Sequence, residues 1–257
     1  MIDPRLAIID ERLKKIKRII SVGSGKGGVG KSMVSSALAL ALSKKYKVGL
    51  LDLDFYGPSS HLILNAGNLY PEEKNGILPP KINKIKFMSI IYYTKDNPSP
   101  FKGADISNAI IELLAITIWH NLDFLIIDMP PGIGEEVLNV IHFMKKNEFI
   151  IVTTPSKLSW ETVRKLLLLL KEIGVPIIGV VENMKFEKND FIKNETEKFG
   201  IPYLGEIYFD AGIEKSIGNT SMLMNTNFGK KIEEIAESIA NKGSIKHGLI
   251  RHSKSFK

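Results

Sequence analysis

The residues with the greatest chemical potential in this chain form one continuous stretch, Gly25-Lys26-Gly27-Gly28-Val29-Gly30-Lys31-Ser32. They satisfy the pattern G-x-x-x-x-G-K-[ST], which works only between a strand and a helix. Glycines let successive backbone N–H groups turn inward around phosphate oxygens, at the positive end of the following helix. In that setting Lys31 neutralises the β- and γ-phosphates of a nucleotide, and the Ser32 hydroxyl ligates Mg²⁺. At average glycine usage, a chance match in a chain of this length is on the order of 1%.

Carboxylates close two apolar runs. In Leu51-Asp52-Leu53-Asp54-Phe55-Tyr56-Gly57-Pro58-Ser59, two acids spaced i, i+2 stand where a strand ends, placed to serve magnesium and water. Phe124–Asp128 is followed by Met129-Pro130-Pro131-Gly132. An acid closing a buried strand is the Walker-B arrangement, so Asp128 is expected as an outer magnesium partner. The turn is expected to carry an N–H, at Gly132, that senses the γ-phosphate and changes shape on hydrolysis.

These groups need elements to hold them. Leu6, Ile9, Leu13 and Ile16 fall at helical spacing, which predicts a lead-in helix over 4–16. Apolar, β-branched runs predict strands at 18–22, 48–53, 86–91, 124–128, 149–153, 177–181 and 203–207. Helical patterns fall at 31–44, 105–120, 134–145, 160–173 and 228–241, the leucine run 166–170 lying in a core helix. The alternation predicts an α/β fold, a doubly wound and mostly parallel sheet with helices on both faces. A single domain is expected over 1–241, with 70–82 a surface excursion and 242–257 a basic, disordered tail.

Composition narrows the chemistry further. The 257 residues include no cysteine, which removes disulfides, thiol nucleophiles, Cys-ligated zinc and a self-supplied thiolate set for an iron–sulfur cluster. The net charge is +7, but residues 11–18 contribute +4 and residues 242–257 contribute +5, so the remainder sums to −2. The basicity is therefore expected at the two ends, not across a face of the domain. Ile245, Leu249 and Ile250 in the tail permit a weak surface anchor. No apolar run approaches the roughly 20 residues of a membrane span, and the N-terminal residues lack a secretory pattern, so a cytoplasmic protein is expected. The five histidines show no metal-ligand spacing; His120 and His142 read as helix-surface or packing residues.

Lys26, directly after the first glycine, resembles the lysine of the MinD/ParA/nitrogenase-iron-protein ATPases, where the matching residue reaches a dimer partner's phosphates. A narrower resemblance rests on Asp54-Phe55-Tyr56-Gly57-Pro58-Ser59, Asp128-Met129-Pro130-Pro131-Gly132, Val152-Thr153-Thr154-Pro155, Val163-Arg164-Lys165, Val181-Glu182-Asn183-Met184 and Leu204-Gly205-Glu206-Ile207, in this order. Together they look like the Mrp family of iron–sulfur carrier ATPases, over roughly residues 15–240. The resemblance implies ATP and Mg²⁺ as cofactors, hydrolysis to ADP and phosphate, and a homodimer. It also implies an iron–sulfur assembly or client protein as partner. Asp52 would hold a magnesium-bound water, Asp54 would orient the attacking water, and Asn183 would read the adenine from beyond its strand.

The chain departs from the family at four places. Met33 stands where the family has threonine, removing one α-phosphate contact. Ile133-Gly134-Glu135 replaces Thr-Gly-Asp, and Tyr208 replaces a proline. The Cys-x-x-Cys pair after Glu-Asn-Met is missing, since Lys185-Phe186-Glu187-Lys188-Asn189-Asp190 occupies that place. No self-liganded cluster is therefore expected. A positioning ATPase that binds membrane or DNA in its ATP state is the other functional class considered, and both partners are disfavoured by the small apolar face of the tail.

Overall fold

The computed structural model describes residues 3–94 and 104–243. The expectations for residues 244–257 of the tail lie outside the described residues. In chain order the elements are α1 (Arg5–Leu13), β1 (Ile16–Ser24), α2 (Lys31–Ser43), β2 (Val48–Asp52), α3 (Ser60–Leu64), β3 (Glu72–Glu73), β4 (Ile77–Leu78), β5 (Lys81–Ile82), β6 (Ile85–Ser89) and α4 (Ile91–Thr94). There follow α5 (Ala104–Ile116), β7 (Leu122–Asp128), α6 (Glu135–Phe143), β8 (Asn147–Thr153), α7 (Lys157–Glu172), β9 (Ile177–Lys185), α8 (Phe191–Lys198), β10 (Tyr203–Tyr208), α9 (Gly212–Ser216), α10 (Thr220–Asn225) and α11 (Asn227–Asn241).

Alternation of side chains along each strand divides the apolar residues between two cores. Ile19, Leu51, Leu125 and Ile127 face one layer with α1, α5, α6 and α7, around the buried Trp119 and Trp160. Ile20, Leu50, Phe124 and Ile126 face the other, with α2, α10 and α11. Strands buried on both faces must be apolar throughout, so they read as continuous runs instead of alternating ones.

The eight-stranded sheet has the order β10-β9-β8-β1-β7-β2-β6-β5, parallel except where β5 joins β6. β1 lies between β7 and β8, so the chain winds outward in both directions from it. The carboxyl end of such a central strand opens on a crevice, the usual ligand position in doubly wound sheets. Register then decides which side chains meet there. Asp52 is the direct partner of Asp128, and Asp128 also aligns with Val22 just before the glycine loop.

Four stretches differ from the sequence expectation. β9 extends to Lys185, so Asn183 lies within the strand and not beyond it. The stretch 70–82 contains the β3–β4 hairpin, and β5 closes the sheet edge. Strands two residues long, interrupted by Gly76 and Pro79-Pro80, leave no periodic signal. In addition, FIKNETEK forms α8, a short and largely polar helix whose inward contacts are Ile192 and Thr196. The helix expected over 105–120 stops at Ile116, which leaves His120 exposed in a turn at φ +55°. His142 is exposed on the surface of α6, edge-on to Phe143.

Candidate functional site

The glycine loop is shaped by what each glycine must avoid. A Cβ on Gly25 would come within 2.5 Å of Thr162 Oγ1 and 2.6 Å of the Val163 nitrogen, so α7 closes tightly on the loop's start. Gly28 and Gly30 adopt φ +78° and +81°, a left-handed backbone that strains any side-chain-bearing residue. Gly30 also backs onto Asn183, whose Nδ2 would lie 2.3 Å from an added Cβ. Around Gly27 and Gly28 nothing lies within 4 Å of such an atom, so the loop's backbone is open on the cleft side. The cleft measures ≈ 370 Å³ and is bounded by Lys26, Lys31, Ser32, Met33, Asp54 and Pro131.

Beneath the loop lies a compact charge cluster. Lys31, only 6% exposed, places Nζ 2.6 Å from Asp128 Oδ1, 3.3 Å from Ser32 Oγ and 3.8 Å from Asp54 Oδ2. Asp128 is fully buried, and its Oδ2 accepts from Ser60 Oγ at 3.2 Å. Asp52, equally buried, accepts the backbone N–H of Asp54 at 3.0 Å and that of Ser60 at 3.3 Å. Burial, and then the neighbouring Asp128 carboxylate, pushes the Asp52 carboxyl well above the usual carboxylate range. Asp54 is less enclosed, and one of its oxygens accepts the Gly57 N–H at 3.1 Å. The structure thus gathers Lys31, Ser32, Asp52, Asp54 and Asp128. It adds Ser60, one residue past the motif, whose N–H and hydroxyl tie the two buried acids together.

The remaining expected residues take up other positions. Lys26 is exposed, and its ammonium has no ion-pair partner among the described residues. Gly132, at φ +90°, donates its N–H to the Ser24 carbonyl at 2.9 Å, which joins the Pro-Pro-Gly turn directly to the loop's first residues. Asn183 donates from Nδ2 to the Val29 carbonyl at 2.9 Å, so here its amide braces the loop from β9. Just beyond it, Lys185 is buried and bonds Glu182 at 3.2 Å, the Asn189 carbonyl at 2.5 Å, and Glu206. Tyr203 completes this network with a 2.6 Å bond to Glu182. Sequence reading noted Glu182 and Glu206 as motif members but gave no sign that Lys185 would join them, since a lysine in a polar run ordinarily stays in water.

The ParA family profile, described as NUBPL iron-transfer P-loop NTPase, matches residues 15–243. An iron-sulfur cluster carrier protein of Pyrococcus furiosus is 35% identical over 270 aligned residues, covering 94% of this chain and 92% of that one. The protein of the same name from Rickettsia conorii is 38% identical over 217 residues, or 83% of this chain and 68% of its own length. The chain spans 62% of the Rickettsia felis relative. Among solved structures, a nucleotide-binding protein of Archaeoglobus fulgidus in complex with ADP superposes with TM-score 0.70 at 31% identity, covering 89% of this chain and 92% of that one. The septum site-determining protein MinD of Pyrococcus horikoshii superposes with TM-score 0.67 at 20% identity over 87% of this chain and 96% of its own, which shows the shared fold. No helix among the described residues is long and apolar enough to cross a membrane.

Proposed function

This chain belongs to the ParA family of iron-transfer P-loop NTPases, and we propose that it hydrolyses Mg-ATP as a homodimeric switch on an iron–sulfur assembly or client protein. The observation that carries this reading is the buried Lys31 ammonium, held 2.6 Å from Asp128 beneath an open glycine backbone. A buried cation of this kind is kept in place by carboxylates until phosphate oxygens compete for it.

The donor set fits magnesium. Ser32, Asp52 and Asp128 offer hard oxygen ligands, and Asp52 and Asp128 adjoin at the ends of neighbouring strands, where a bound cation would favour the ionised form of both. Ser32 would ligate the ion directly, with Asp52 and Asp128 holding its waters. The ion would neutralise phosphate charge in the transition state. The loop N–H groups of residues 25–32 and Lys31 bind the phosphates, while Met33 contributes an apolar wall where a hydroxyl would have donated. Asp54, the least enclosed acid, orients a water for attack on the γ-phosphorus. A new P–O bond forms, the β–γ bridging bond breaks, and ADP leaves with the electron pair. Lys26 has no ion-pair partner among the described residues and supplies charge to the γ-phosphate of a second copy, as an arginine finger does. Asn183 and Gly132 couple the nucleotide to β9 and to the Pro-Pro-Gly turn.

An iron–sulfur cluster does not fit the residues present. Thiolates are absent from the sequence. Carboxylates such as Glu187 and Asp190 are hard ligands, poorly matched to sulfide clusters. Any cluster chemistry belongs to the partner's ligands.

Calorimetry with Mg-ATP on the wild type and on Lys31→Ala tests the assignment. Binding should vanish in the variant, and unchanged affinity would contradict the reading. Anaerobic incubation with iron and sulfide should leave no chromophore after desalting; a stoichiometric one would show that the chain ligates a cluster unaided.

A further inference from the structure

At the opposite edge of the sheet, where the parallel strands begin, five lysines from separate parts of the sequence meet. Lys15 precedes β1, Lys47 precedes β2, and Lys81, Lys84 and Lys86 lie on and around β5 and β6. They line an open cleft of ≈ 720 Å³ with His120, about twice the size of the nucleotide cleft. No carboxylate pairs with any of the five among the described residues. Asp123 is engaged by Lys17 at 2.7 Å and by the Lys47 N–H at 2.8 Å, and these bonds, followed by the Lys47 charge, lower the pKa of its carboxyl. Lys86 is half-buried and donates to the Trp119 carbonyl at 2.6 Å. Burial first, and then the ammonium groups of Lys81 and Lys47, push its pKa down, so these charges lie close enough to repel one another. Lys84 has φ +69°, where glycine or asparagine is favoured, yet the chain presents a lysine there.

We propose that this cleft docks a short acidic segment of a partner protein, its carboxylates supplying the counter-charges that the described residues do not. Several features favour a peptide over a nucleic acid. The cleft has no arginine, whose planar fork suits phosphate. Its one lining tyrosine, Tyr46, is already packed edge-on against Phe124 at 5.2 Å and is not free to stack on a base. The lysines are gathered in a concavity and do not run along an extended face. A short segment meets only the cleft. Its docking does not depend on the nucleotide assignment, because the two clefts lie at opposite ends of the strands.

The test is fluorescence anisotropy on the full chain with a labelled polyglutamate peptide, beside single- and double-stranded oligonucleotides of matched charge. Lys47→Glu, Lys81→Glu and Lys84→Glu are combined in one variant. Peptide binding that weakens with salt and falls about tenfold or more in the variant supports the cleft as its site. Because the variant keeps residues 242–257, a contribution from the tail would survive in it. Equal peptide affinity in both proteins, or none in the wild type, overturns the proposal. Oligonucleotide binding lost in the variant without peptide binding overturns it in favour of nucleic acid. Mg-ATP affinity, measured in parallel, should be the same in both proteins, which checks that the variant is folded.

Discussion

The two edges of one sheet handle charge in opposite ways. Where the strands end, Lys31 and Lys185 are almost fully buried, and each is matched by carboxylates, Asp128 for the first and Glu182 with Glu206 for the second. Where the strands begin, Lys15, Lys47, Lys81 and Lys84 are exposed, and none forms an ion pair among the described residues. The difference follows from desolvation. A charge removed from water needs a partner whose loss leaves a large uncompensated term, whereas an exposed charge is stabilised by solvent and is worth little to the fold. The carboxyl edge is thus a site whose parts hold one another in place, and the amino edge is a surface that the fold does not need.

Four substitutions sharpen or break that contrast. The largest effect is expected for Lys26→Ala. It should retain nucleotide binding while turnover falls about 10³-fold or more, in line with the loss of an arginine finger. Turnover per molecule in the wild type should also rise with protein concentration. Constant turnover from a species that stays monomeric with ATP would break the reading.

Next comes Lys31→Ala, which besides abolishing Mg-ATP binding should destabilise the nucleotide-free protein by about 3 kcal/mol, since it strands buried carboxylates without their cation. The sign with pH is fixed. The Lys31 charge lowers the Asp52 carboxyl, which burial and Asp128 push up to about 8, so removing it raises Asp52 further. The loss is largest above that pH and shrinks as the pH falls and Asp52 takes up its proton. Denaturant midpoints at two pH values measure this, and a loss independent of pH would argue against buried, facing carboxylates.

Asp54→Ala should slow hydrolysis by about 10²-fold at unchanged ATP affinity, read by single-turnover phosphate release. A parallel loss of affinity would move Asp54 from the attacking water to the ion. The smallest effect belongs to the other edge. Lys81→Glu should alter stability by no more than about 0.5 kcal/mol, and a larger loss would mean that the amino edge has a structural role after all.

The glycine loop and its Lys31 and Ser32 were legible because the chemistry is local. Eight consecutive residues set a backbone that few other sequences allow, and apolar runs on either side announce the strand and the helix. Asp52 and Asp128 were legible as strand ends. That they stand side by side, joined through Ser60, depends on the register of β2 against β7, which no local pattern records. Asn183 shows the same limit. Its motif was plain, but an added stretch of β9 places its amide under Val29.

What the sequence by itself determined was the parallel α/β fold, from apolar runs alternating with helices, the phosphate loop within it, and the absence of thiolate ligands. Only the tertiary structure decided where charge gathers. Summed along the chain, the basic residues stand out at the two ends, and the domain between them looks slightly acidic. The five lysines of the amino-edge cleft lie up to 71 positions apart, from Lys15 to Lys86, and they meet because parallel strands bring their beginnings to one edge. A charge count follows the order of the chain, while electrostatic interaction follows distance in space.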